Sequence, residues 1–377
     1  MRRLLALVGA VVLVDTMFFV ALTPLLPEYT EELDLSKAGA GVLAAAYPLG
    51  VLLMGLPSGF ATARFGPKPC VLIGLAVLAV TTVTFGLAQD YAILVGARFA
   101  QGAGSAFAWT AGLAWLVAAA PADRRGELIG SAMAAAIVGA LLGPVVGGVA
   151  SEIGTELAFG AIAVLTAALA VWAILTPAPG PPEPLPARRV LTTLAQPQFL
   201  GAAWFVALPA LLFGTLGVLA PLRLDALGAS ALAIGAAFLV AAAIEATLSP
   251  ILGRASDRRG RLVPIRIGLV ASAAVAALLP WLDDRWLLSA GIVAAGVSFG
   301  TFWAPAMSRL ADLAEHRGLE HAHGFALINV AWAPGQSAGA AGGGALAQAT
   351  ADAVPFLVLG TASVLTFLLL WRSGASS

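Results

Sequence analysis

Twelve long apolar segments recur along this chain, and they leave little choice of fold. Each is long enough, at 1.5 Å per helical residue, to cross the roughly 30 Å hydrocarbon core of a bilayer. They span residues 4–26, 39–60, 70–89, 91–119, 128–150, 157–176, 198–222, 231–252, 263–282, 286–311, 322–349 and 353–371. Because the runs are continuous rather than alternating, they favour helices over a β-barrel. The sequence therefore predicts an all-α membrane protein with twelve transmembrane helices.

The charged residues are few and unevenly placed. They make up 11% of the chain, whereas soluble proteins average roughly a quarter. If both termini are cytoplasmic, 16 of the 20 Lys and Arg residues fall on the cytoplasmic side, as the positive-inside rule requires. We therefore expect a multi-pass monomer in the inner (plasma) membrane. With zero net charge, it is expected to bind no nucleic acid.

The chain divides once, at the proline-rich stretch 177–197. This predicts an N-terminal bundle of six helices over 1–176, a cytoplasmic linker over 177–197 and a C-terminal bundle over 198–377. The halves echo each other, since GALLGPVVGG at 139–148 recurs 196 positions later as GQSAGAAGGG. GFATARFGPK at 59–68 recurs 194 positions later as GRASDRRGRL. Two motifs at nearly one offset indicate duplication and two pseudo-symmetric bundles, as in transporters whose halves rock about a central site.

Asp15 lies near the middle of the first apolar segment. A carboxylate at that depth costs several kcal/mol, so a chain that retains one is expected to use it. The natural uses are proton binding and attraction of a cation, which points to membrane transport. An ordinary structural ion pair is the alternative.

A polar stripe runs along the fourth segment. Arg98, Gln101, Ser105 and Trp109 are spaced by three or four residues, so they share one helix face, which must turn away from lipid. By helical rise, Asp15 and Arg98 lie within roughly 5 Å of each other in depth. We expect a pair across an internal cavity. Alternatively, Arg98 is a scaffold residue satisfied by carbonyls and Asp15.

Glu245 is the other acid within the membrane region, roughly 10 Å from the cytoplasmic face. It is a second candidate carrier of the coupled proton. A solvated vestibule residue or a partner for a loop Arg are the alternatives. Aromatic residues near Asp15 would suit a lipophilic cation through cation–π contact, although roughly half of them are expected to pack or face lipid. The candidates are Phe18, Phe19, Trp109, Trp204, Phe302, Trp303 and Trp332.

The fifth segment carries a dense glycine motif. Gly139, Gly143 and Gly147 form a ridge at spacing four that lets helix backbones approach closely, and Pro144 permits a kink. The motif could serve helix packing, helix movement or both, and the sequence leaves these alternatives open. Together with Gly148, these residues form a gxxxGPxxGG pattern.

The turns after segments 2 and 8 carry the second pattern. The second-half copy is GxxxDRxGR, made by Gly253, Asp257, Arg258, Gly260 and Arg261. The first-half copy keeps Gly59, Arg64, Gly66 and Lys68, with Ala63 at the acidic position. With LVGARFAQGAGSA at 94–106, these motifs resemble the major facilitator superfamily, and within it the drug:proton antiporters with twelve helices. The resemblance implies a conformational latch at the acid, for which Asp257 is the stronger candidate.

A narrower likeness lies in helix 1. Asp15, Pro24, Pro27 and Tyr29 look like the helix 1 pattern of vesicular amine transporters and their bacterial relatives, in which this Asp meets the ammonium of the substrate. Asn329 stands where those proteins carry an Asp on helix 11. The resemblance implies a cation exporter and names no substrate.

These observations predict secondary active efflux of a small lipophilic or cationic compound in exchange for protons. The alternative is uptake or symport of a small polar metabolite such as a sugar or organic acid. No GxxxxGK[ST] loop occurs, so the proton gradient rather than ATP is the expected energy source, with no cofactor. HAH at 321–323 is expected to lie in a solvated loop, and neither a metal site nor an enzyme is predicted.

Overall fold

The computed structural model is helical, with twelve α-helices in the part of the chain that it describes. They are α1 Arg2–Glu32, α2 Lys37–Phe65, α3 Pro67–Leu87, α4 Tyr91–Ala119, α5 Arg125–Ile153, α6 Thr155–Leu175, α7 Pro197–Ala226, α8 Ala231–Arg259, α9 Leu262–Leu278, α10 Arg285–Thr301, α11 His321–Ala349 and α12 Ala353–Gly374. The described residues are 1–121, 124–178, 180, 192, 196–259, 262–303, 305–307, 309–310 and 321–374, with the backbone alone for 249–259, 321–328 and 373–374. The twelve predicted helices are confirmed, and 11 of the helices are long and apolar enough to cross a membrane.

Short connections set where several helices begin. The side chains of Ser36, Asp90 and Asp284 accept hydrogen bonds from the first-turn amides of α2, α4 and α10, which satisfies donors that the helices leave open. Gly66 alone joins α2 to α3 with φ 89°, and Gly154 joins α5 to α6 with φ 93°. Glycine adopts this left-handed region without a Cβ clash. At these two junctions, consecutive helices are therefore joined by a one-residue turn.

Within each half, a glycine ridge brings two helices into backbone contact. A Cβ on any ridge glycine of α5 would lie within 2.7 Å of an α1 carbonyl oxygen; the pairs are Gly139 with Leu13, Gly143 with Met17 and Gly147 with Ala21. Equivalent contacts recur between α11 and α7. A Cβ on Gly335 or Gly339 would lie 2.3 or 2.2 Å from the carbonyl oxygen of Ala207 or Leu211, and one on Gly343 would lie 2.7 Å from the Thr215 hydroxyl oxygen. Each α7 residue follows its α1 counterpart by 194 positions, and each α11 glycine follows its α5 counterpart by 196. The two predicted pseudo-symmetric bundles are therefore confirmed.

The two halves meet along α2 with α11 and along α5 with α8. A Cβ on Gly41 would lie 2.5 Å from the carbonyl oxygen of Ala340, and one on Gly235 would lie 2.5 Å from that of Pro144. Near the same end, Lys37 forms an ion pair with Asp352. We call this end, where α1 is followed by α2, the closed end. Backbone approach there holds the halves together.

Candidate functional site

Asp15 is buried inside the N-terminal half, with 3% of its surface exposed. Its Oδ2 accepts three hydrogen bonds, from the Tyr47 hydroxyl at 2.9 Å, the Ser105 hydroxyl at 2.7 Å and the Trp109 indole N–H at 2.7 Å. Its Oδ1 is buried without a partner among the described residues. Hydrogen bonds from neutral donors offset part of the cost of burying a carboxylate. The site is therefore organised around one of the two oxygens.

Helix packing explains why Asp15 points at α2 and α4. Leu13 and Met17 lie on the face that contacts the α5 ridge, and Asp15, two positions from each, lies on the opposite face. A Cβ on Gly102 would lie 1.9 Å from the carbonyl oxygen of Tyr47. Glycine at 102 thus lets α2 and α4 approach closely enough for both to reach the carboxylate.

Arg98 is fully buried nearby, with 1% of its surface exposed, but it does not form an ion pair with Asp15. Its guanidinium donates to the Phe19 carbonyl oxygen at 3.1 Å and to Gln101 Oε1 at 3.3 Å. Four aromatic rings surround its guanidinium carbon at centroid distances of 5.0 to 5.9 Å; they belong to Tyr47, Phe18, Phe85 and Phe19. No direct ion pair joins the two side chains, because rings and a carbonyl oxygen hold the cation. Of the scaffold alternative, which named carbonyls and Asp15, the structure shows the contact with the Phe19 carbonyl oxygen and no hydrogen bond with Asp15.

Gln101 supports Arg98 rather than Asp15. Its amide donates to the Thr81 carbonyl oxygen at 3.2 Å, which leaves its own oxygen to accept from Arg98. Of the predicted stripe on α4, Ser105 and Trp109 therefore contact Asp15, whereas Arg98 and Gln101 form a separate network one to two turns away.

An aromatic group links Asp15 to the C-terminal half. The Phe19 ring lies 4.7 Å from the Tyr47 ring and 5.7 Å from the Trp332 ring of α11. Val51 and Ala333 are buried against the same group. We call Phe19, Tyr47 and Trp332 the aromatic cap. Its Tyr47 member carries a hydroxyl that donates to Asp15.

The other predicted aromatic residues lie elsewhere. Phe18 packs edge-on against Phe85 and Phe159 in the core of the N-terminal half. Phe302 is buried against Gly268 on α9. Trp204 is 40% exposed and donates to Thr366 on α12. The helical positions alone did not distinguish these packing roles from a site facing Asp15.

Glu245 and Asn329 lie apart from Asp15. Glu245 is half-buried between α8 and α10, where a Cβ on Gly300 would lie 2.5 Å from its Oε1. Its carboxylate forms no hydrogen bond or ion pair with the described residues. Asn329 is half-buried on α11, one turn before Ala333. The roles of both residues remain predictions.

The conformational motifs are only partly described. Gly66 adopts the left-handed conformation in the turn between α2 and α3. Arg64 is exposed, and its guanidinium lies over the Phe65 ring. A Cβ on Gly59 would meet no atom within 4 Å. Gly148 packs against Leu232 of α8 across the two halves. In the second copy, Gly260 and Arg261 lie outside the described residues, and only the backbone is described for Gly253, Asp257 and Arg258.

Sequence reasoning missed Tyr47, although it donates directly to Asp15. The chain contains 3 tyrosines, and this one lies in the middle of an apolar segment. A buried hydroxyl needs a hydrogen-bond partner, and Asp15 was the acid available at mid-depth in the same half. A tyrosine in an apolar segment, together with a buried acid at mid-depth in the same half, is therefore the pattern that could have predicted this hydrogen bond.

Comparison with known proteins identifies the family. The family model described as Major Facilitator Superfamily matches residues 7–319 and 202–376. A probable vesicular acetylcholine transporter-B of Danio rerio is 36% identical over 123 residues, covering 30% of this chain and 25% of that protein. The vesicular acetylcholine transporter of Homo sapiens is 38% identical over 115 residues, covering 30% of this chain and 21% of that protein.

A solved structure extends the likeness to the whole fold. A bacterial homolog of the human lysosomal transporter Spinster, in an inward-facing and unoccupied conformation, superimposes with a TM-score of 0.74 at 16% identity, covering 99% of this chain and 95% of that one. At that identity the likeness concerns the fold alone. Twelve helices, paired bundles and the family match agree: the chain belongs to the Major Facilitator Superfamily and is a multi-pass membrane transporter rather than an enzyme.

Proposed function

We propose that the protein exports a small lipophilic or cationic compound in exchange for protons. The observation that carries this proposal is the buried Asp15 carboxylate, held by three neutral donors, one of which belongs to the aromatic cap. No described cation is ion-paired with it. Its negative charge is therefore available to a proton or to a substrate cation.

One carboxylate is sufficient for exchange. It gains a proton and becomes neutral, or it stays ionised and attracts a cation, and the two states exclude each other. The indole of Trp109 and the rings of Phe19 and Trp332 offer π faces near the same place, and such faces attract cations. Partial similarity to vesicular acetylcholine transporters supports a cationic substrate for this chain.

Alternating access would carry the exchange across the inner (plasma) membrane. If both termini are cytoplasmic, as the sequence predicts, the closed end would face away from the cytoplasm, and the structure would correspond to a state sealed on the outside. The Lys37–Asp352 pair and the glycine contacts between α2 and α11 would separate when the transporter opens outward. Asp257, near the end of α8, is proposed as the conformational latch at the opposite end of the transporter.

The test uses inside-out vesicles with an imposed pH gradient. The tetraphenylphosphonium cation is the first probe, and neutral sugars and organic acids complete the panel. Asp15→Asn should abolish gradient-driven transport of the cation, because an amide neither binds a proton nor carries charge. Asp15→Glu should leave partial activity, and Glu156→Gln, an exposed acid on α6, is the matched control.

Glu245→Gln separates the two candidate proton carriers. If Asp15 carries the proton, this variant keeps its dependence on the pH gradient. Loss of that dependence with retained cation binding would transfer the role to Glu245. Gradient-driven transport of sugars or acids but not of cations would favour the uptake or symport alternative.

A further inference from the structure

A small cavity lies beside Asp15, on the side of the N-terminal half formed by α1, α3 and α6. Its volume is about 10 Å³. Its polar lining consists of Asp15, Thr82 and Thr166, and its other lining residues are aliphatic or aromatic. A space of roughly this size holds one water molecule when two or more polar groups line it.

Two of the polar residues that line this cavity carry a polar atom without a partner. Asp15 Oδ1 is buried and forms no hydrogen bond with the described residues, whereas Oδ2 accepts all three donors. Thr82 is 2% exposed, and its hydroxyl makes no hydrogen bond within the described part of the chain. The Thr166 hydroxyl already donates to the Ile162 carbonyl oxygen at 2.8 Å, which leaves its lone pairs free to accept. Buried polar atoms without partners are rare, and bound water is a common explanation.

We propose that this cavity binds one water molecule that bridges Asp15 Oδ1 and the Thr82 hydroxyl, and that Oδ1 is the atom that takes the coupled proton. The first part stands independently; the second rests on the proposed function. The water then gives both polar atoms a hydrogen-bond partner. It donates one hydrogen bond to the ionised oxygen of Asp15 and forms another with the Thr82 hydroxyl. Thr82 is accordingly a positioning residue.

The geometry at Oδ2 decides where the proton goes. In the neutral acid, the carbonyl oxygen remains a good acceptor, and the three donors from Tyr47, Ser105 and Trp109 keep their bonds only if that oxygen is Oδ2. A proton from the aqueous phase therefore forms its O–H bond at Oδ1, the charge changes from −1 to 0, and the new O–H donates to the water. Among the described residues, the titratable groups that act on Asp15 are Tyr47 and Arg98, and neither lines the cavity. The proton thus binds on the side facing α3 and α6, away from the aromatic cap.

Infrared difference spectroscopy on purified protein tests the water without any transported substrate. A pH step in H₂¹⁶O and in H₂¹⁸O reveals the stretching band of a bound water through its isotope shift, and Asp15→Asn identifies the carboxyl band. Thr82→Val preserves shape and removes the hydroxyl, and Val11→Ile adds a methylene group to the lining. Both should abolish the isotope-sensitive band. Thr84→Val is the matched control, since that hydroxyl donates to the Val80 carbonyl oxygen at 3.0 Å on the same helix.

Absence of the water band in the wild type, or its persistence in both Thr82→Val and Val11→Ile, would overturn the water site. Ser105→Ala tests the position of the proton: it should raise the C=O stretching frequency of the acid, because Oδ2 is then the carbonyl that loses a donor. An unchanged frequency would overturn the assignment of the proton to Oδ1. If all bands behave as expected while vesicle export ignores the pH gradient, the proposed function fails and the water site stands.

Discussion

The two halves of this transporter share their backbone packing and differ in their chemistry. The 194-residue offset that aligns α1 with α7 also aligns the close contact of Gly102 with Tyr47 and the contact of Gly296 with Ala241. At that offset, four of the polar site residues of the N-terminal half have apolar counterparts, whereas Trp109 has Trp303; the four pairs are Asp15 and Pro209, Tyr47 and Ala241, Arg98 and Ile292, and Ser105 and Phe299. Duplication preserved the glycines that set helix separation, whereas the polar site belongs to one half.

In the C-terminal half, the positions equivalent to the Asp15 site form an ordinary apolar core. Ile292 and Phe299 are fully buried, and the Phe299 ring packs edge-on against Phe213 at 5.5 Å. Such packing adds stability without binding a proton. Under the proposed function, the N-terminal half would bind the proton and the C-terminal half would move against it as a packed body.

Matched glycine substitutions give the largest expected effect. Gly143→Val and Gly339→Val should both prevent recovery of monodisperse protein, because each Cβ would lie within 2.7 Å of backbone in the facing helix and overpacking at backbone cannot relax through a rotamer change. Size-exclusion chromatography in detergent measures this. Gly342→Val, at a position with open space, is the control and should behave as wild type. A loss confined to one half would refute the structural equivalence.

Arg98→Leu makes the N-terminal half resemble the C-terminal one, which has Ile292 at the equivalent position. We expect folding to be retained, with a stability change within about 2 kcal/mol, because desolvating a guanidinium costs several kcal/mol and offsets its hydrogen bonds and ring contacts. Transport should fall by about tenfold, since the charge balance around Asp15 is changed. Thermal unfolding and vesicle transport measure the two effects. A variant that folds and transports at the wild-type rate would show that Arg98 is only a packing element.

Breaking the Lys37–Asp352 ion pair should have the smallest effect. Its side chains are 39% and 30% exposed, and such pairs contribute about 0.2–1 kcal/mol, so Asp352→Asn should shift the balance between closed and open states by up to about fivefold. Spin labels at Leu35 and Ala351 would report a larger population of long distances. The charge swap Lys37→Asp with Asp352→Lys should restore the short distance. An unchanged distance distribution in Asp352→Asn would remove this pair from the account of the closed end.

Much of the fold was predictable because membrane helices are encoded locally. Apolar runs gave all twelve helices, and the spacing of Gly139, Gly143 and Gly147 gave a close-packing ridge. Helix rotation is a tertiary property, however, so sequence reasoning found Asp15 and Ser105 without finding Tyr47, which reaches the carboxylate from another helix. The absence of a direct Asp15–Arg98 ion pair was hidden for the same reason, since depth along a helix does not show which rings surround a guanidinium.

Proton release on substrate binding tests the central claim most directly, namely that Asp15 alternately holds the proton and the cation. Tetraphenylphosphonium is added to purified protein in weakly buffered detergent solution, and a pH indicator records the protons released per cation bound. The account predicts release by the wild type and by Glu245→Gln, and none by Asp15→Asn at cation concentrations that still give binding. Equal release by Asp15→Asn and the wild type would contradict it.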